Sequence, residues 1–145
     1  MDYKDLSNLS NNNDTELLSI ILGTKPEIIK EAIENASKNA FYNKINNVDF
    51  IVGDSGTIME ESFKEGQLDC LIVDPPRTGL DERMISSIIK SKVKKIIYVS
   101  CNPSTLAKNL NDLKQDYNIC EIKAIDIFSQ TEHVESVTLL TQAHK

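Results

Sequence analysis

Leu-Asp-Cys-Leu-Ile-Val-Asp-Pro-Pro-Arg-Thr-Gly-Leu-Asp, residues 68–81, is the stretch that decides the architecture. Cys70, Leu71, Ile72 and Val73 are apolar without alternation, as in a strand buried on both faces. Asp74-Pro75-Pro76 stops the strand 68–73, because proline cannot continue a central ladder. Helical spacing begins at once over 81–90, with Met84, Ile85, Ile88 and Ile89 directed inward. The same unit then repeats. Residues 95–99 read as a second buried strand, and Ser-Cys-Asn-Pro (100–103) breaks it. Ser104 is placed to cap a helix reaching Lys114, with the stripe Leu106, Ala107, Leu110 and Leu113.

Towards the C-terminus, 118–128 and 133–141 read as strands joined by the loop 129–132. No helix separates them, so they pair antiparallel. Towards the N-terminus, 57–63 is a short helix and 48–52 a strand stopped by Gly53-Asp54. Residues 24–41 are the clearest helix, with Ile28, Ile29, Ala32, Ile33, Ala36 and Ala40 on one face. Thr24 and Glu27 form its capping box around Pro26. The apolar run 17–22 is too short for periodicity to assign. Residues 1–14 read as a flexible polar tail, and 15–145 as one domain. Strands alternating with helices imply a mostly parallel α/β sheet, here closing on an antiparallel hairpin.

Composition supports one soluble domain. The chain has 145 residues, 40% apolar and 26% charged, which excludes a disordered or collagen-like class. No apolar run approaches the roughly 20 residues that cross a bilayer, and the polar start is no signal peptide, so a cytoplasmic location is expected. Three cysteines, Cys70, Cys101 and Cys120, without close pairs argue against a disulfide framework or a C-x-x-C metal site. A net charge of −6 disfavours a free-standing nucleic-acid binder.

In parallel α/β sheets, ligands sit beyond the carboxyl ends of the strands. Asp74 stands there in a stiff turn, suited to orienting a ligand's hydrogen bonds or to an Asx turn with its own backbone. Cys101 lies between a strand and a helix N-terminus, a place that stabilises a thiolate and makes it a candidate nucleophile. A buried, inert cysteine is the alternative, and Cys70 and Cys120, within apolar strands, are expected to be inert. A phosphatase-type loop needs an arginine soon after the cysteine, whereas Lys108 is the next basic residue. Alternation puts His133 and Glu135 on one face, either one a general base or simply part of a solvated loop. Asp54 can bind a ligand base or ribose, or cap the next helix; Glu27 is better explained by its capping box.

Three segments together resemble the catalytic domain of the RNA uracil-5 methyltransferases. They are Asp-Pro-Pro-Arg-Thr-Gly-Leu-Asp (74–81), Tyr-Val-Ser-Cys-Asn-Pro-Ser-Thr-Leu-Ala (98–107) and Phe-Ser-Gln-Thr-Glu-His-Val-Glu-Ser-Val (128–137). The resemblance spans about 27–140 and implies a class I, Rossmann-like methyltransferase fold. It implies transfer of a methyl group from S-adenosylmethionine to C5 of a uridine in ribosomal or transfer RNA. By resemblance, Cys101 is the nucleophile that adds to C6, and Glu135 the base that removes the C5 proton. Asp74 matches the strand-end aspartate that positions cofactor and target base. Asp54 matches an adenine-side acid, and Glu27 is the candidate for the acid that binds the cofactor ribose.

The sequence also departs from that family. The family's cofactor site begins with a strand ending in a loop of roughly Asp-Leu-Tyr-Cys-Gly-x-Gly. Here Gly23 is the first glycine, with no partner glycine nearby. Leu-Leu-Ser-Ile-Ile-Leu-Gly (17–23) resembles the segment after that loop. The family's N-terminal RNA-binding barrel has no counterpart in these residues. The expectation is therefore a partial, monomeric catalytic domain with an incomplete sheet of about five strands. Either 48–52 shifts to pair with 68–73, or 17–22 fills part of the gap. The missing N-terminal half is expected to be needed for activity on RNA. The alternative is an inactive remnant or interaction module that keeps the motifs. A methyltransferase acting on an amino group ranks third, because Arg77 stands where an aromatic residue would stack the target base.

Overall fold

In the computed structural model, the described residues are 17–21, 26–65, 68–127, 129–131 and 134–143, without the side chains of 17–21, 26–29 and 65. The expected tail 1–14, the cap at Thr24, the side chain of Glu27 and His133 lie outside this description.

Among the described residues, five strands and four helices follow one another along the chain. They are β1 (Leu17–Ile21), α1 (Pro26–Tyr42), α2 (Ser55–Glu65), β2 (Cys70–Asp74), α3 (Glu82–Ser91), β3 (Lys95–Ser100), α4 (Pro103–Leu113), β4 (Tyr117–Ile125) and β5 (Glu135–Gln142). The sheet order is β1-β2-β3-β5-β4. The β1–β2 and β2–β3 pairs are parallel; β5 runs antiparallel to both β3 and β4. The incomplete five-strand sheet with its C-terminal antiparallel pair is thus as expected. Of the two ways to fill the gap, 17–22 does so: Leu17 pairs with Cys70 and Ile21 with Asp74.

The core lies between one face of the sheet and helices α2–α4. Leu71, Val73, Ile96, Tyr98 and Leu140 meet Met59, Met84, Ile85, Ile88, Leu106, Leu110 and Leu113 there. Strand alternation supplies the first set and helical spacing the second. Capping sets the helix starts. Asp81 Oδ1 accepts from Met84 N at 2.8 Å to open α3.

Several expectations are corrected. Residues 48–52 form no strand; Val48, Ile51 and Val52 are exposed, because β1 occupies the place beside β2. An apolar segment with β-formers still needs a ladder partner. The cap of α4 is Asn102, not Ser104, because Pro103 takes the first helical position and Asn102 Oδ1 accepts from Ser104 N at 3.0 Å. Ala107 is exposed; the buried stripe runs through Asn109 instead. On α1, Ala32 is exposed and Ile33, Ala36 and Ala40 are only half-buried, so the apolar face exists without a full cover. Cys120 is exposed, with Sγ 3.2 Å from Thr141 Oγ1, because β4 is an edge strand with an irregular register between Ile119 and Glu121.

Candidate active site

The carboxyl edge of β2 and β3 gathers the chemistry. Asp74 ends β2, and Cys101 is the first residue beyond β3. Because β5 is antiparallel, its first residue, Glu135, lies at that same edge. Val73 pairs with Tyr98, and Ser100 with Ser136. One further step along each ladder sets Asp74 beside Val99, and Cys101 beside Glu135. Alternation puts residues 74, 99, 101, 135 and 137 on one face, the face opposite α2–α4. There Ile72, Val99, Val137 and Leu139 are half-buried, as are Cys101 and Glu135. A thiol, a carboxylate across from it, and a second carboxylate on the neighbouring strand therefore share one surface.

Asp74 reaches solvent, yet the strand end around it desolvates the carboxyl enough to push it above its usual range. Among the described residues nothing donates a hydrogen bond to it. The folded state thus penalises the charged form. The penalty is complete above the raised folded value and disappears as pH falls to the ordinary carboxylate range. Asp74→Asn is accordingly expected to raise the unfolding midpoint slightly at neutral pH. The gain is small because solvent screens the group, and it vanishes in acid when the two melting curves are compared across pH.

Asp54 is placed differently. Its Oδ1 accepts from Thr57 N at 2.9 Å and from Thr57 Oγ1 at 2.8 Å, and lies 3.5 Å from an Arg83 guanidinium nitrogen. The Thr57 bonds first, and Arg83 after them, hold its carboxyl below the usual range. Arg83 also pairs with Glu60 at 3.0 Å, which ties α2 to α3. Asp54 is therefore a helix cap at the amino end of α2, not joined to the Cys101 surface. Glu27 lies in the first turn of α1.

Of the residues that lock the two motifs together, Asn109 lies outside both motif segments, and sequence patterning does not single it out. The Arg77 carbonyl accepts from Asn102 Nδ2 at 3.0 Å and from Thr105 Oγ1 at 3.1 Å. Asn109 meets Leu80 through both main-chain groups: Oδ1 accepts from Leu80 N at 2.8 Å, and Nδ2 donates to Leu80 O at 3.0 Å. The Tyr98 hydroxyl donates to the same Oδ1 at 2.8 Å. Burial pushes that phenol up to about 12, so it stays a neutral donor. One signal was available: Asn109 is a polar residue on the buried stripe of Leu106, Leu110 and Leu113.

Gly79 makes this approach possible. Its φ is +77°, and a Cβ there would stand 2.5 Å from Asn109 Oδ1 and 3.2 Å from Thr105 Cβ. Gly79→Ala is expected to cost roughly 2–5 kcal/mol, adding the left-handed penalty of about 1–2 to an overpacking term of about 1–3. Urea denaturation of the two proteins measures it.

The chain matches the profile of the tRNA (Uracil-5-)-methyltransferase family over residues 13–143. It belongs to that family. An RNA methyltransferase of Bacillus cereus is 43% identical over 121 residues, covering 82% of this chain and 26% of the relative. One from Listeria innocua is 47% identical over 115 residues, covering 79% and 25%. The chain therefore spans about a quarter of the length of these relatives. Among solved structures, the tRNA (uracil-54, C5)-methyltransferase of Pyrococcus abyssi, in complex with S-adenosyl-L-homocysteine, superposes with a TM-score of 0.69. It is 36% identical, over 85% of this chain and 28% of that one. An rRNA methylase of Streptococcus thermophilus shares the fold alone, with a TM-score of 0.55 at 9% identity over 87% and 73% of the two chains. The Rossmann-like class that the family resemblance implied is the class of these neighbours, and the methyl donor of the tRNA (uracil-5-)-methyltransferase family is S-adenosylmethionine. Among the described residues no helix is long and apolar enough to cross a membrane.

Proposed function

We propose that this chain is the C-terminal catalytic part of an enzyme that methylates C5 of a uridine in transfer or ribosomal RNA. The observation that carries the reading is the convergence of Cys101, Glu135 and Asp74 on one face at one edge of adjacent strands. Uracil C5 is too weak a nucleophile to take a methyl group unaided. The Cys101 thiolate adds to C6, forming the S–C6 bond and moving an electron pair towards C5. C5 then takes the methyl group. Glu135 removes the C5 proton, the C5–C6 double bond returns, and the C6–S bond breaks to restore the thiolate. Asp74 orients the target base by accepting hydrogen bonds. The uridine leaves its stack to reach Cys101, at a cost of a few kcal/mol.

S-adenosylmethionine, when bound, supplies an electrophilic methyl group. Its ammonium, ribose hydroxyls and adenine amine are all donors, and the carboxylates at this end of the molecule are a chemically matching set. Among the described residues no donor meets the Asp74 carboxylate, and the contacts of the Asp54 carboxylate all fall on Oδ1, leaving Oδ2 for the adenine. By likeness to the family, Glu27 is the candidate acid for the ribose. The enzyme works as a cytoplasmic monomer on RNA held by the N-terminal half that the relatives carry.

The test is incubation with S-adenosylmethionine and a transfer RNA transcript containing 5-fluorouridine, whose C5 has no proton to lose. A covalent protein–RNA species that survives detergent, formed by the chain alone or supplied with the N-terminal half of a relative, is the expected result; its absence in both overturns the reading. A second reading, an inactive module that keeps the motifs, is favoured by the uncovered segment 41–52. Cofactor-dependent stabilisation without an adduct would support it.

A further inference from the structure

We infer that Asn109 is a positioning residue of the uridine site: its carboxamide fixes the Asp74–Leu80 loop against the segment bearing Cys101. The inference rests on the proposed reaction and concerns how the chain keeps two reacting groups in register.

Asp74 and Cys101 belong to different strands, and each is followed by a segment outside the ladder. Nothing in the β2–β3 pairing constrains residues 75–80. The constraint comes from the other motif. Asn109, 4% exposed, holds both main-chain groups of Leu80 as a neighbouring strand would. Asn102, the residue after Cys101, and Thr105 hold the Arg77 carbonyl. The same Asn102 caps α4, so the loop, the helix start and Cys101 form one hydrogen-bonded unit. Tyr98, two residues before Ser100 in β3, completes it through Asn109 Oδ1. Pro75 and Pro76 stiffen the link from Arg77 back to Asp74. A shift of about 1 Å in such a unit can cost on the order of 100-fold in rate.

Two of the three bonds of Asn109 fall on Oδ1, which aspartate also possesses. Asn109→Asp therefore keeps both acceptor contacts, and Asn109→Ala keeps none. Three readouts are compared: hydrogen exchange at the Leu80 amide, RNA affinity, and the adduct rate with 5-fluorouridine RNA below the melting transition. In Asn109→Ala, Leu80 exchange is expected to rise at least about 10-fold while the β3 and β5 amides stay protected. The adduct rate of the folded protein is expected to fall about 10- to 100-fold at unchanged RNA affinity. Asn109→Asp, which keeps the Oδ1 contacts but can donate to Leu80 O only when protonated, is expected to fall between Asn109→Ala and the unaltered chain and to approach the unaltered chain as pH is lowered. If Asn109→Ala does not fold, Thr105→Val decides, with a several-fold slower adduct at an unchanged midpoint as the supporting result.

An unaltered adduct rate in the variant that is read, or unaltered Leu80 exchange in Asn109→Ala, overturns the inference. If the unaltered chain, supplied with the N-terminal half of a relative, forms no adduct, the proposed reaction fails and this inference falls with it. That control separates the two failures.

Discussion

Cys101→Ala is expected to abolish methyl transfer, lowering the rate by roughly 10,000-fold or more, which is about 5.5 kcal/mol of barrier. Addition to C6 is the step that makes C5 nucleophilic, and no other described thiol or hydroxyl occupies the β3–β5 edge at that position. Cys70 is buried within β2, and Cys120 is on the far edge strand. The same variant is expected to lose the 5-fluorouridine adduct. Its fold is expected to survive, because the Cys101 side chain is half-buried and makes no hydrogen bond among the described residues. Paired measurements of methyl incorporation and thermal unfolding test both statements. Retained incorporation would remove Cys101 from the reaction, and a collapsed transition would assign it to the fold.

Glu135→Gln is expected to slow turnover by roughly 1,000-fold, within the usual contribution of a general base, while leaving the first half-reaction intact. The amide keeps the size of the carboxylate but cannot take the C5 proton. The enzyme then stalls after methylation, with the C6–S bond unbroken. Ordinary uridine RNA should therefore accumulate on the protein as a methylated adduct, which the unaltered chain releases. Denaturing electrophoresis with labelled methyl donor reads this directly. Slow turnover without an accumulating adduct would show that Glu135 acts before addition, or only as a support.

Much of this architecture is legible in the residues because local and tertiary preferences agree. The unalternating run before Asp74 and the stripe of Met84, Ile85 and Ile88 each admit one reading, and the structure places them in a central strand and a core helix. Cys101 and Asp74 stand out for the same reason: each breaks a buried strand at its carboxyl end. Residues 48–52 were misread because strand formation depends on a neighbour. Val48, Phe50, Ile51 and Val52 have the right side chains and no ladder to join. Cys120 was misread because burial of a strand depends on its place in the sheet, which the local pattern does not encode. The lock between Leu80 and Asn109 joins residues 29 apart in sequence. Each looks ordinary alone, and only the fold makes them partners.

The reversed direction of β5 bears on how such enzymes diversify. The connection between β4 and β5 leads onto the carboxyl edge, but the position of Glu135 does not depend on that connection's length. It is set by the ladder behind it, where Val137 faces Val99 and Ser136 faces Ser100. Under the proposed reaction, insertions upstream of Glu135 would change what the edge presents to an incoming strand of RNA while leaving Glu135 in place, so target choice and proton removal would be set by separate stretches of the chain.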